Sequence, residues 1–127
     1  MLESLYGREN YVAAKKLLDV AELRHRALTS NVANAETPGY QRVDVDAAFK
    51  LKLERALQAG GVDKIQQAQP TLKIDTASIA VRPDGNNVSI DQELLEINKN
   101  ALEYEFLTSY VSSSIQRLKT TITGRNG

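Results

Sequence analysis

Between Val88 and Thr123 the chain carries apolar side chains in unbroken alternating steps of four and three. They are Ile90, Leu94, Ile97, Ala101, Tyr104, Thr108, Val111, Ile115, Leu118 and Ile122, with Thr108 the one polar member. This is a heptad seam, the pattern of a helix laid along another helix. Neither Pro nor Gly interrupts it. A helix over 88–123 spans about 54 Å at 1.5 Å per residue. That is too long for a compact body of 127 residues, so the pattern calls for a long partner. Residues 9–33 supply one: Tyr11, Ala14, Leu18, Ala21, His25, Leu28 and Val32 repeat at three-four spacing, with Leu17 and Leu23 beside the stripe. This helix is shorter, about 37 Å, and leaves part of the C-terminal seam uncovered. Ala14 and Ala21 would let the facing helix come close. His25 reads as a packed or half-exposed residue of that face.

The first helix meets a dense stop signal, Ser30-Asn31-Val32-Ala33-Asn34-Ala35-Glu36-Thr37-Pro38-Gly39-Tyr40. Asn34 suits a left-handed cap. Pro38 pushes Thr37 out of the helical region, and Pro38-Gly39 fits the centre of a type II turn. One cap needs only one or two polar groups. The cluster Ser30, Asn31, Asn34, Glu36 and Thr37 offers more than that.

The middle is less regular. Ala47 to Ala59 predicts a short helix with Phe49, Leu53, Ala56 and Leu57 on one face, capped by Asp44 or Asp46 and ended by Gly60-Gly61. Thr71 to Asp75 and Ile79-Ala80-Val81 alternate well enough to form a short ribbon. An isolated hairpin is marginal in water, so residues 62–82 are expected to need neighbouring subunits for order. Pro83-Asp84-Gly85-Asn86 is a turn signal, and Ser89 with Gln92 fits a capping box at the start of the long helix.

Composition removes function classes. Sixteen basic residues balance sixteen acidic ones, so no electrostatic footprint for nucleic acid is present. There is no cysteine and one histidine. No thiolate, disulfide or His-rich metal site can form, and no cofactor or small-molecule substrate is expected. Asp44 and Asp46 lack the base, nucleophile or ligand set that a catalytic carboxylate pair needs. No apolar run reaches the roughly 20 residues of a membrane span. Met1-Leu2-Glu3-Ser4-Leu5 lacks the regions of a secretory signal. The expected location is the cytosol, or a site reached without a cleaved signal. Along the long helix, Asp91, Glu93, Glu96, Glu103 and Glu105 oppose one Lys99, while Arg117, Lys119 and Arg125 close it. That order suits the helix dipole; stacked subunits meeting acid end to basic end would use it equally well.

The Ser30–Tyr40 run resembles the S-N-[IVL]-A-N-[AV]-[DEN]-T-P-G-[YF] signature of bacterial flagellar rod and hook proteins. That family joins N- and C-terminal helices through a variable middle, so the resemblance covers both ends of this chain. The length excludes members with large middle domains and leaves the two short proximal rod proteins. Asp84-Gly85-Asn86-Asn87-Val88, followed by Asn100-x-Leu102-x-Tyr104-x-x-Leu107, is similar to one of them. The Ser-Arg-x-Tyr-x-x-Asn type motif typical of the C-terminal helix in the other rod and hook proteins, FlgC included, is missing.

The expected architecture is therefore mainly α. One domain over 1–127 comprises a helix at 9–33, a turn motif and variable middle at 34–87, and a helix at 88–123, the two long helices forming an antiparallel coiled-coil-like pair. The resemblance implies a non-catalytic subunit of the flagellar rod in the periplasm, exported by the flagellar apparatus without a cleaved signal. It implies as partners other rod subunits (FlgC- and FlgF-like among them), the adaptor protein FliE, the MS ring and the export gate, in a homo- and hetero-oligomeric helical assembly. The candidate assembly surface is Ser30, Asn31, Asn34, Thr37, Pro38, Gly39 and Tyr40, with Ile90, Leu94, Ile97, Ala101, Tyr104, Val111, Ile115, Leu118 and Ile122. A soluble helical-hairpin adaptor would explain the heptads but not the Asn-rich turn motif; a FlgC-like rod protein is the other alternative.

Overall fold

The computed structural model describes residues 2–76 and 81–124. The elements are α1 (Leu2–Ala33), β1 (Val43–Val45), α2 (Ala48–Ala59), α3 (Val62–Gln67), β2 (Leu72–Ile74) and α4 (Ile90–Thr123). The fold is mainly helical, with α1 and α4 packed side by side. Their polar contacts run in opposite order along the two helices: Asn31 meets Glu93 and Ala21 meets Asn100. The pair is therefore antiparallel. Among the described residues no helix is long and apolar enough to cross a membrane.

Helix α1 begins at Leu2, seven residues before the expected start at Glu9. Residues 2–8 contain no Pro, and Gly7 inside a helix costs only about 1 kcal/mol. The helix buries two faces. Ala13 and Val20 join Phe49, Leu53 and Ala56 of α2 and Ile65 of α3 in the hydrophobic core, with Leu17 and Val45 against it. Ala14, Ala21 and Leu28 are buried as their stripe predicted, but His25 is exposed. It lies on the flank of that stripe, where a longer side chain swings into solvent.

Helix α2 matches its expected span, and Phe49, Leu53 and Ala56 are its buried residues. Asp46 accepts from the Ala48 N–H at 3.0 Å. Gly60 and Gly61 stop the helix with φ of 76° and 106°, values that a side chain would make costly. The ribbon differs from its expectation. β2 pairs antiparallel with β1, Val43 opposite Ile74 and Val45 opposite Leu72; Val81 is in no strand, and Ile79-Ala80 lies outside the described residues. The pairing is clamped by Asp46 N–H to Thr71 C=O and Asp75 N–H to Arg42 C=O, both 2.8 Å. Residues 62–76 also contact the rest of the chain: Ile65 is fully buried, and Lys16 Nζ reaches the Gln66 carbonyl at 2.9 Å.

Helix α4 starts after Ser89, whose hydroxyl accepts from the Gln92 N–H, and ends at Gly124 in the left-handed region. Only half of the capping box forms, because the Gln92 amide turns to Glu96 instead. The Ser and Thr residues that weaken the helix on propensity grounds bond back one turn. Thr108 donates to Tyr104 C=O at 2.8 Å and Thr121 to Arg117 C=O at 2.9 Å, local bonding that Ser and Thr use inside helices.

Candidate assembly site

The face that α4 turns to α1 is not its apolar seam. The side chains it buries are Glu93, Asn100 and Leu107. At 100° per residue this line lies roughly 60° around the helix from the seam. The seam itself stays accessible: Ile90, Leu94, Tyr104, Ile115, Leu118 and Ile122 are exposed, Leu118 by 60% and Ile122 by 75%. Ala101 is also exposed, while Ile97 and Val111 are half-buried. The expectation that α1 covers much of the seam is therefore corrected. Two polar anchors decide the rotation. Asn100 donates to the Ala21 carbonyl at 2.8 Å, which the short alanine side chain leaves reachable. Glu93, fully buried, must face its partners, because a buried unpaired carboxylate costs several kcal/mol. A further stripe, Leu102 and Phe106, is 68% and 70% exposed.

Those partners gather at the head of the hairpin. Glu93 takes the Arg42 Nε–H on one oxygen and the Asn31 amide on the other. Arg42 spreads its remaining donors to Asp75 at 2.8 Å and Asp44 at 3.0 Å. Arg24 chelates Asp44 and reaches Glu96 at 2.7 Å. Two arginines thus bridge four carboxylates drawn from α4, β1 and the end of β2. The planar guanidinium fork suits such a hub better than lysine would. Burial works to raise the Asp44 pKa, but hydrogen bonds from Arg24 and the Val45 N–H and the arginine charges outweigh it and leave Asp44 below its ordinary value. The Arg24 hydrogen bond holds Glu96 low despite partial burial.

Carboxylates with lowered folded-state pKa values stabilise the fold at pH above their unfolded values. That contribution is lost as pH falls through the folded values. The expected result is a thermal midpoint that holds through neutral pH and drops once pH falls below about 4, the ordinary carboxylate range. Replacing both Asp44 and Glu96 by their amides should flatten that drop. A melting series over pH 2–7 measures it; a midpoint rising on acidification would contradict the ion-pair hub.

The Ser30–Tyr40 motif sits directly beside this hub. Asn31 is fully buried. Its amide donates to Val43 C=O at 2.8 Å and its oxygen accepts from Val43 N–H at 3.0 Å and Tyr40 O–H at 3.1 Å. It acts as a strand edge for β1 and is an internal brace. Asn34 is not left-handed, since no described non-glycine residue has positive φ. Its amide instead donates to Ser30 C=O at 2.9 Å, and Thr37 O–H reaches its oxygen at 3.2 Å. The last turn of α1 tightens, so no left-handed residue is needed. The type II turn is present: Tyr40 N–H bonds Thr37 C=O at 3.2 Å, and Gly39 has φ of 75°. Thr37, Pro38 and Gly39 are exposed, as is Ser30, and Tyr40 is half-buried.

The missing halves of this motif come from the other one. Asn86, fully buried, donates to the carbonyls of Asn34, Ala35 and Thr37 at 2.9, 3.0 and 2.9 Å. Its oxygen accepts from Val88 N–H at 2.8 Å. Arg82 also donates to Ala35 C=O, and Gly39 N–H donates to Asp84 C=O at 2.8 Å. Gly85 packs against Gly39, whose Cα a Cβ there would meet at 3.5 Å. Asn87 accepts from Arg42 N–H at 2.6 Å and donates to Asp75 C=O. Residues 84–88 are therefore a clasp that satisfies the orphan carbonyls ending α1. The sequence shows a turn here but not the clasp, and it does not show the anchoring roles of Arg42, Glu93 and Asn100. For the two on α4 a signal was available: Glu93 and Asn100 stand seven positions apart beside an apolar seam.

A helical hairpin whose internal contact is anchored by buried polar side chains, with apolar stripes left outward, is the architecture of a structural subunit made for assembly. No family model matches the chain. It is 33% identical over 116 residues to the flagellar basal body rod protein FlgB of Aquifex aeolicus, an alignment covering 87% of this chain and 90% of that one. FlgB of Aeromonas hydrophila is 32% identical over 114 residues (80% and 86%), and that of Escherichia coli K12 29% over 126 residues (88% and 91%). The chain belongs to the FlgB family of flagellar basal body rod proteins.

Proposed function

We propose that this chain is a structural subunit of the proximal rod of the flagellar basal body, where it helps form the tubular shaft that carries torque. Its neighbours there are further FlgB-, FlgC- and FlgF-like rod subunits, the adaptor FliE, the MS ring and the export gate. It lies in the periplasm, reached through the flagellar export apparatus, and has no catalytic role, substrate or nucleic-acid partner. The observation that carries this reading is the outward seam of α4. A helix that spends polar side chains on its own hairpin and keeps Ile90, Leu94, Leu118 and Ile122 exposed is prepared to meet other subunits. Thr37, Pro38 and Gly39 add a rigid, exposed corner beside it. Asn31 serves from inside, by fixing where that corner stands.

The test is direct. An antibody to this chain should detect it in purified hook–basal bodies after detergent and alkaline washing; a protein found only in the cytosolic fraction would overturn the reading. Gly39→Val adds a β-branched side chain in the left-handed region, at about 1–2 kcal/mol. A Cβ there meets no atom within 4 Å, so the effect comes from the backbone and not from packing. Swimming should be impaired while the isolated variant keeps its helix content. Unchanged motility would remove the turn from the assembly surface.

A further inference from the structure

We propose that the acidic cleft between α1, the start of α2 and α4 receives Lys119 of a second copy, stacked head to tail with the first. The contact rests on the rod reading and deepens it: it belongs to the assembled subunit and requires no order in the free chain.

The cleft has a volume of about 360 Å³. Leu17, Val20, Ala21 and Val45 give it an apolar wall. Four carboxylates, Asp44, Asp46, Glu96 and Glu103, line it against two cations, Arg24 and Lys50. Arg24 is spent on Asp44 and Glu96. Asp46 and Glu103 form no ion pair among the described residues, and Lys50 on the rim can balance only one of them.

Asn100 also lines the cleft and is 4% exposed. Its amide nitrogen donates to the Ala21 carbonyl, while its oxygen takes no hydrogen bond. Among the described residues Arg82 Nε is the only sealed side-chain polar atom without a partner. The Asn100 oxygen is therefore not sealed, and it opens on the cleft as a free acceptor. Such a site calls for a cationic donor on an apolar stem. Lysine has both: three ammonium donors and a four-carbon chain that lies along apolar surface.

The basic end of α4 supplies the cation. Arg117 and Lys119 are both exposed there, and neither forms an ion pair among the described residues. Position decides between them. Helices in a head-to-tail stack run parallel, and such a contact joins two different surfaces of the subunit. The two groups must then stand on nearly opposite sides of the helix. At 100° per residue Lys119 lies about 140° from Glu96 and about 160° from Glu103. Arg117 lies within about 60° of both and faces the same way as the cleft. From Glu103 to Lys119 the helix advances about 24 Å, which sets the axial offset between the two copies. The contact leaves each copy with a cleft or a lysine to offer the next, so it propagates as a helical rod requires.

The chain has no cysteine, so introduced pairs report contacts cleanly. Purified hook–basal bodies carrying Glu103→Cys and Lys119→Cys in one chain should give, on oxidation, a ladder of covalent dimers and larger multimers. Each single variant should give none. Within one chain the two positions are about 24 Å apart, too far to link to each other. Lys119→Glu or Glu103→Lys alone should cost most of the swimming radius in soft agar, and the two together should restore it. A ladder through Glu103→Cys with Arg117→Cys in its place, no ladder in basal bodies that contain the chain, or a charge swap no better than either single change would overturn the contact and leave the rod reading standing. Absence of the unmodified chain from basal bodies would overturn the rod reading and the contact with it.

Discussion

Arg42→Met should destabilise the folded chain by about 3–5 kcal/mol, the range for removing one partner of a buried ion pair. The guanidinium is almost wholly enclosed, with 11% of its side chain exposed, and among the described residues it is the only ion-pair partner of the fully buried Glu93. Asp44 keeps Arg24, and Asp75 is near enough to the surface to recover water. Glu93 keeps only the Asn31 amide at 3.3 Å. The loss therefore falls on α4, whose first turns should detach from α1. Arg42→Lys should recover part of it, since a point charge cannot serve three carboxylates from one place. Adding Glu93→Leu to Arg42→Met should recover most of it, because replacing both members of a buried pair by apolar groups is often neutral. Urea unfolding followed by circular dichroism measures all three. If the double variant is as unstable as the single one, the ion pair is not what holds the head of the hairpin together.

Asn86→Asp, a change of one atom, should cost about 2–4 kcal/mol. The new carboxylate keeps an acceptor for the Val88 N–H but offers no donor to the carbonyls of Asn34, Ala35 and Thr37. Each buried acceptor left unmet costs about 1–3 kcal/mol. Thr37 is exposed and recovers water, whereas Ala35 is buried and keeps only Arg82. A negative charge at the C-terminal end of α1 also opposes its dipole. Hydrogen exchange should locate the damage: amides of residues 34–40 and 84–88 should lose protection before those of α2. A variant that unfolds like the parent would mean that water replaces Asn86 at little cost.

The two long helices, the short α2 with its buried Phe49, and the Pro38-Gly39 turn were legible because each rests on local rules. Period, capping and positive φ are written in neighbouring residues. The rotation of α4 was not. Ten seam positions say which face is apolar, yet the face that packs is chosen by Glu93 and Asn100, whose partners lie 51 and 79 residues away in sequence. Long-range polar anchors leave no period to read. The same holds for β2. Its alternation predicted a strand, but the partner proved to be Val43–Val45, because Arg42, Asp75 and Asn87 fasten the two ends together. Asn86 shows the limit most clearly, since a turn residue by sequence became the cap of a helix fifty positions earlier.

The clasp also has a consequence for how this architecture can grow. The chain leaves α1 and re-enters α4 through one gate, with the β1–β2 pairing beside it, and everything between the two strands is one excursion that packs back on α1. A domain spliced into the Gly60-Gly61 turn of that excursion would enter and leave at neighbouring points. Closing a longer loop costs only about 0.6 kcal/mol for each doubling of length, and the gate keeps its own hydrogen bonds whatever lies beyond it. The hairpin is in this sense a socket: its ends can keep one geometry while the cargo between them changes in size.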